Sequence, residues 1–328
     1  MSNPYSDQGF FGFFCVLVRR LLLFFCGEDG GPIASDEIQC VVLLCLGLSL
    51  AFLGSFLVLQ QMTMLANALS HTLLVGIILA ALILRTLGAE GVFVPVLSVK
   101  VLWIAACITG FLTTWLTERL TQKWHLPEDG SIAFVFTTLF ALGILLVTLF
   151  TRNMHLGVEA VMGNIDALHV NDIKLSFLFS LVVVLVFLLL FRGFFAMSFD
   201  RTFAKTLGFP VRGLNHLLMV LTAGGAIVSF RAVGVLLFLA FLAGPVLMAR
   251  MWTHSLKKLI FYSFCISSFC SLIAIALSRH IFTTFKTPVS TAGLVVTVIF
   301  CFYISLLMLF YKKQLWKRFF RNIRRIDL

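Results

Sequence analysis

The sequence predicts an all-α membrane protein, a polytopic bundle of about nine transmembrane helices with a cytoplasmic C-terminus. Of its 328 residues, 60% are hydrophobic and 12% are charged, whereas soluble domains contain roughly 45–50% and 25%. The mean hydropathy is +1.06. The apolar stretches run about 17–25 residues, which is the length of a membrane-spanning helix, and they lack the alternation of a membrane β-strand.

The predicted spans divide the chain into three parts. They cover residues 41–59, 65–84, 92–116, 131–150, 175–191, 214–230, 232–250, 256–277 and 289–311. A further apolar stretch at 10–26 contains Arg19 and Arg20, so it either crosses as a tenth helix, which we favour, or lies at the membrane interface. We therefore expect an N-terminal segment (1–39) with an acidic external loop, a transmembrane domain (40–311) and a basic cytoplasmic tail (312–328).

The net charge of +11 is concentrated at the C-terminus, where the last 17 residues hold seven Lys or Arg and one Asp. A basic cluster directly after an apolar span is typical of a cytoplasmic segment at anionic lipid, so we expect a membrane-lipid partner and no nucleic acid. With the tail inside, the cytoplasmic loops hold sixteen Lys or Arg and the external loops six. This excess agrees with the positive-inside rule.

The chain lacks the motifs of an energy-converting or hydrolytic enzyme. It contains no G-x-x-x-x-G-K-[ST], H-E-x-x-H or G-x-S-x-G sequence. All fourteen Asp and Glu residues fall outside the predicted spans, which disfavours a carrier coupled to protons or sodium. Ser70 and His71 are adjacent, so on a helix they point about 100° apart, a poor geometry for nucleophile and base.

A polar stripe enters the second predicted span, in LANALSHTLLVGIILA (65–80). Asn67, Ser70 and His71 are spaced i, i+3, i+4 and therefore share one helix face. One interpretation is that they line a translocation pathway, in which His71 binds a divalent metal transiently. The other is a set of interhelical hydrogen bonds that holds the bundle together.

Two loops carry further candidate residues. The external loop holds His155 and His169 with acidic residues at Glu159, Asp166 and Asp172; we interpret it as a docking surface or solvated loop rather than a cation site. The cytoplasmic segment SFDRTFAKTLGFPVRG (198–213) is helix-capable. Asp200 is predicted to cap a short helix that ends before Gly208 and Pro210. The helix and its ends hold the candidate residues Asp200, Phe203, Ala204, Leu207 and Gly208.

Four segments in order resemble one known family: FLGSFLVLQQMTMLANALSHTLLVGIILA (52–80), PEDGSIAFVFTTLFALGILLV (127–147), MSFDRTFAKTLGFPVRGLNHLL (197–218) and RAVGVLLFLAFLAGPVLMAR (231–250). The sequence is similar to the integral-membrane permeases of bacterial ABC importers for zinc, manganese and iron, whose architecture is that of the vitamin B12 importer permease. In that family the segment matched at Asp200, Ala204 and Gly208 is the coupling helix that seats in the ATPase subunit.

The resemblance implies a multi-pass subunit of the bacterial inner membrane that performs no chemistry itself. Its partners would be an ABC ATPase, an extracytoplasmic metal-binding protein and a second permease subunit, identical or homologous. ATP would be used by the ATPase, this chain would hold no cofactor, and the metal ion would be its substrate. A stand-alone secondary carrier or channel for metal ions is the alternative.

The sequence departs from the family pattern in the first segment. Asn67 stands where the family has Asp, Gln60 and Gln61 where it has an Arg pair, and Val75 where it has Pro. A neutral amide offers a carbonyl oxygen and an NH₂ group instead of a carboxylate. The identity of the metal is therefore not carried over from the resemblance.

Overall fold

The structure is a computed structural model that describes residues 4–5, 9–26, 34–62, 68, 72, 75–80, 82–83, 99–124, 126–151, 165–287 and 289–326. Every regular element in these ranges is helical. The helices are α1 (Phe10–Cys26), α2 (Ser35–Leu59), α3 (Val99–Lys123), α4 (Glu128–Thr151), α5 (Val170–Leu189), α6 (Phe191–Phe199), α7 (Arg201–Thr206), α8 (Val211–Ala232), α9 (Val235–Arg250), α10 (Leu256–Phe285) and α11 (Thr291–Ile326), with a 3₁₀ turn at Ile165–Ala167 before α5.

Five of the described helices are long and apolar enough to cross a membrane: α2, α5, α8, α10 and the first part of α11, Thr291–Leu309. They coincide with the predicted spans at 41–59, 175–191, 214–230, 256–277 and 289–311, so the prediction of a polytopic helical membrane protein is confirmed. Residues 99–116 of the span predicted at 92–116 lie in α3, and the spans at 131–150 and 232–250 fall on α4 and α9. The span at 65–84 lies largely outside the described residues, so the count of nine stays a prediction.

The centre of the bundle is formed by α2 and α8, each buried over 72% of its most apolar stretch, whereas α11 is buried over 17%. α2 packs against α5, α8, α9 and α10, and α8 packs against α3. At Gly54 of α2, a β-carbon would stand 2.1 Å from the carbonyl oxygen of Leu242 in α9. Only glycine allows the two backbones to approach this closely.

At one end of the bundle, which we call the carboxylate end, buried or hydrogen-bonded acidic side chains lie between helix ends. These are Asp36, Asp166 and Asp172. Arg279, near the end of α10, donates from Nε to Asp36 at the start of α2 over 2.6 Å. Arg231, at the end of α8, lies 3.2 Å from Asp172 at the start of α5. α2 therefore runs antiparallel to α10, and α5 runs antiparallel to α8.

The opposite end, which we call the α7 end, contains the short helices α6 and α7. Arg212, at the start of α8, donates to the Gln122 side chain at the end of α3 over 3.3 Å. The ammonium of Lys257, at the start of α10, lies 5.9 Å from the ring centre of Phe191 in α6. Helices that end here thus meet helices that begin here, as alternating membrane crossings require.

Candidate functional site

The predicted pathway residues Asn67, Ser70 and His71 lie outside the described residues. Two neighbours in the same stretch are described: Ala68 and Thr72 are helical and buried. The Thr72 hydroxyl oxygen lies 3.4 Å from that of Thr113 in α3. The helical stretch that follows, 75–80, also touches α3, since a β-carbon on Gly76 would overlap the Thr109 hydroxyl. α3 therefore faces this segment, and α4 does so too, since Val75 shares a buried cluster with Val135 and Leu139.

A row of threonines follows this face of α3 at four-residue spacing, at Thr109, Thr113, Thr117 and Thr121. The first three are buried, with 2%, 1% and 8% of their surfaces exposed. Residues four apart lie on one face of a helix, and a run of twelve residues extends about 18 Å. We call this set the threonine row; it places hydroxyl groups along about 18 Å of α3.

The hydrogen bonds of the threonine row leave oxygen lone pairs free to accept. Thr117 and Thr121 donate to the carbonyl oxygens of the residues four positions earlier, over 2.8 and 2.9 Å. The Thr109 hydroxyl has no hydrogen-bond partner among the described residues. A hydroxyl carries one donor and two acceptor lone pairs. The row can thus accept further hydrogen bonds from polar groups that face it.

At the α7 end the threonine row opens into a cavity of about 90 Å³. Thr117, Glu118 and Thr121 line it from α3, and Arg201, the first residue of α7, lines it from the other side. Asn215 of α8 adds a buried carbonyl oxygen without a hydrogen-bond partner in the described chain. The cavity therefore connects the threonine row to the short helix α7.

The predicted cap of α7 is present. Asp200 Oδ1 accepts hydrogen bonds from the backbone NH of Thr202 over 2.7 Å and from its hydroxyl over 2.6 Å. These bonds lower the pKa of Asp200, because they favour its charged form. The helix ends at Thr206 and is followed by Leu207 and then Gly208, whose φ of 82° lies in the region that favours glycine.

α7 has one buried face and one exposed apolar face. Ala204 is fully buried, whereas Phe203 and Leu207 are each 54% exposed and Phe199, just before the helix, is 85% exposed. Large apolar side chains at this exposure, next to a span but beyond its end, are typical of a protein–protein contact. The exposed face of α7 is small and rigid, because the helix has only about two turns, begins at the Asp200 cap and ends at the Gly208 turn.

A stack of buried phenylalanines ties α7 to the centre of the bundle. The rings of Phe56 in α2 and Phe187 in α5 are stacked at 4.8 Å, and Phe187 lies 4.7 Å from Phe194 in α6. All three side chains are fully buried. We call them the phenylalanine stack. Because α6 leads directly into α7, these close-packed rings connect α7 to two spanning helices.

The acidic residues predicted for the external loop serve the packing of helix ends. Asp166 accepts from Gln39 over 3.3 Å and from Thr291 over 2.6 Å, and Asp172 is buried beside Arg231. His169 is exposed, and His155 and Glu159 lie outside the described residues. The described part of the chain holds no group of three metal-ligating side chains. A cavity of about 280 Å³ opens here, lined by Asp36, Asp166 and Arg279 among others.

Sequence reasoning missed the threonine row and the phenylalanine stack. The row was visible as four threonines spaced by four within TGFLTTWLTERLT. No sequence pattern predicts the phenylalanine stack, because the 36 Phe residues are spread through the chain. Only the fold brings Phe56, Phe187 and Phe194 together.

Comparison with known proteins agrees with the family resemblance seen in the sequence. Residues 38–310 match the model of the ABC 3 transport family. A probable metal transport system membrane protein of Chlamydia trachomatis is 36% identical over 315 residues, which cover 95% of each chain. The chain belongs to the ABC 3 transport family. A manganese transport system membrane protein of Bacillus subtilis is 33% identical over 66% of this family member and 74% of that protein.

Solved structures of similar fold include PsaBC from Streptococcus pneumoniae in complex with Fab. Its TM-score is 0.64 at 25% identity, over 82% of this ABC 3 chain and 89% of that one. An inward-facing conformation of a putative metal-chelate type ABC transporter has a TM-score of 0.57 at 16% identity and shares the fold.

Proposed function

We propose that this ABC 3 family member is the membrane permease subunit of an ATP-driven importer for a divalent transition-metal ion. Family membership, relatives named for metal and manganese transport, and the structural similarity to PsaBC support this function. Manganese is the first choice among manganese, zinc and iron, since several relatives are named for manganese transport.

The observation that carries the proposal is the geometry of α7. An exposed apolar face on a capped helix, joined through α6 to the phenylalanine stack, suits a partner that moves the helix as a rigid body. The chain has no P-loop sequence of its own, and its family and its similarity to PsaBC support an ABC ATPase as the partner that hydrolyses ATP. Two permease subunits would enclose the pathway, and a metal-binding protein would dock at the carboxylate end.

The proposed topology places the α7 end and the C-terminus in the bacterial cytoplasm and uses nine spans. The distribution of Lys and Arg supports this orientation, and the antiparallel contacts of the described helices fit alternating crossings. Asn67, Ser70 and His71 then lie toward the cytoplasmic end of the second span. We propose that they and the threonine row flank the pathway, with His71 as a transient imidazole ligand.

The test is metal uptake into proteoliposomes that contain the purified permease with its cognate ATPase and binding protein. Uptake of manganese should require all three proteins and internal hydrolysable ATP. Competition by zinc and ferrous iron then ranks the three metals. Manganese uptake by the permease alone would contradict the proposal and favour the stand-alone carrier or channel.

The pathway is tested with His71→Ala in the same assay. Transport should fall more than the yield of assembled complex, and Ser70→Ala and Asn67→Ala should have the same kind of effect. A parallel loss of complex yield and transport would assign the stripe to helix packing instead.

A further inference from the structure

Helix α1 precedes the residues that match the family model, which begin at residue 38. One of its faces packs on the bundle: Phe13 is fully buried, and Phe10, Phe14 and Leu17 pack against the core. The helix contacts α10. α1 is therefore packed against the bundle.

The same face is held to the first turn of α2 by a single carboxylate. Glu37 Oε1 accepts a hydrogen bond from the Tyr5 hydroxyl over 3.0 Å and pairs with Arg20 Nε at 2.5 Å. Its other oxygen accepts from the backbone NH of Ala34 over 2.9 Å. Burial and the Glu37 carboxylate raise the pKa of Tyr5, so the hydroxyl keeps the proton that it donates.

These two contacts place the segment before α1 and the second half of α1 at the same end of the bundle. Tyr5 precedes α1, and Arg20 lies in its second half, yet both reach Glu37 at the carboxylate end. If α1 crossed the bilayer, the residues before it would be about 30 Å away at the α7 end, far beyond the reach of a tyrosine side chain. Both ends of α1 therefore stay on the side of the membrane on which α2 begins.

The opposite face of α1 is apolar and exposed. Its residues follow the spacing i, i+4, i+7, i+11 of one helix stripe, which we call the α1 stripe: Phe11, Cys15, Val18 and Leu22. Phe11, Val18 and Leu22 are 82%, 55% and 58% exposed, and Cys15 is exposed. Arg19, beside the stripe, is also exposed. An apolar stripe bordered by an arginine, at the level where a span begins, matches a helix that lies in a lipid interface.

We propose that α1 does not cross the bilayer but lies on it at the carboxylate end, with the α1 stripe inserted into the lipid interface. The inference replaces the tenth crossing that the sequence favoured for 10–26. In this position α1 binds lipid and anchors the first turn of α2 to the membrane surface. Because Asp36 in that turn binds Arg279, the end of α10 is anchored as well.

The first experiment determines the side of residue 9 with membrane-impermeant thiol reagents, in a variant without native cysteines. Gly9→Cys is suited because residue 9 is exposed and a β-carbon there meets nothing within 4 Å. Asn171→Cys marks the carboxylate end and His254→Cys the α7 end, both at exposed positions. Gly9→Cys should be labelled from the same side as Asn171→Cys. Labelling from the side of His254→Cys would overturn the proposal.

The second experiment tests the lipid contact with Cys15 as the only cysteine, labelled with an environment-sensitive fluorophore in nanodiscs. Emission should be blue-shifted and strongly quenched when the phospholipids carry bromine near the top of the acyl chains. The same fluorophore on Asn171→Cys should be quenched by aqueous iodide instead. Quenching of Cys15 by iodide alone, or its cross-linking to a second copy, would assign the α1 stripe to water or to a protein contact and overturn the proposal.

Each variant is first checked for a monodisperse elution profile, so a misfolded sample is excluded without reference to transport. Neither readout depends on metal uptake. Failure of the importer assay and failure of the lipid contact are therefore separate results.

Discussion

The helices of this ABC 3 family member are held together by different interactions at the two ends of the bundle. At the carboxylate end, ion pairs and hydrogen bonds join helix termini, as in Asp36–Arg279 and Asp166–Thr291. At the α7 end, the phenylalanine stack joins α2, α5 and α6 by close packing. A pair with a buried carboxylate depends on both of its partners, whereas close-packed rings have few alternative arrangements. In the proposed importer, the carboxylate end would receive the metal-binding protein and the α7 end would transmit the movement of the ATPase.

The sharpest test of this contrast is Phe187→Ala in the phenylalanine stack. Removal of a fully buried ring should lower the free energy of unfolding by about 3–5 kcal/mol, measured by denaturation in mixed detergent micelles. Phe177→Ala is the matched control, because Phe177 lies on the same helix and is 58% exposed. Equal losses in the two variants would mean that the stack is not the packing centre of the α7 end.

At the carboxylate end, Arg279→Ala should cost about 2 kcal/mol, less than a fully buried pair because the guanidinium side chain is 23% exposed. The loss arises from Asp36, which stays buried after its cation is removed. Asp36→Ala combined with Arg279→Ala should therefore cost less than the sum of the single changes. Lys286→Ala, at an exposed position of the same end, serves as the control. Additive losses would show that the two side chains act independently.

The same contrast explains what could be predicted from sequence. The cap of α7 and its glycine stop are encoded within nine residues, 200–208, so local rules found them. Asp36 and Arg279 lie 243 residues apart, and no local pattern predicts which of several charges will pair. For residues 10–26 the apolar stretch left a tenth crossing and an interfacial helix open and favoured the crossing, whereas the proposed interfacial position of α1 depends on Tyr5, which lies outside that stretch. The spans were recognisable because bilayer thickness fixes their length.

The coupling role of α7 is tested by Gly208→Glu. A side chain at a φ of 82° costs about 1 kcal/mol, so the protein should remain folded in the membrane while metal uptake in the reconstituted importer is lost. Gly213→Glu adds the same charge at an exposed glycine of the same end without a positive φ. Normal uptake by Gly208→Glu, or an equal loss in both variants, would argue against a specific contact of α7 with the ATPase.

The smallest expected effect is that of the Asp200 cap, because it concerns only the local stability of α7. Asp200→Ala should speed hydrogen exchange of the α7 amides, relative to the unfolded chain, while Asp200→Asn retains most of the protection, since asparagine also accepts from the Thr202 NH.

The pKa of Asp200 is lower in the folded protein than the usual value of about 3.9. The contribution of the Asp200 cap to the stability of α7 is therefore complete above that value, and it is lost as the pH falls through the folded pKa. Exchange protection in the native chain should be constant from about pH 5 to 7 and converge on that of Asp200→Ala only at lower pH. A loss of protection already between pH 5 and 7 would mean that a different group, and not the Asp200 carboxylate, holds the first turn of α7.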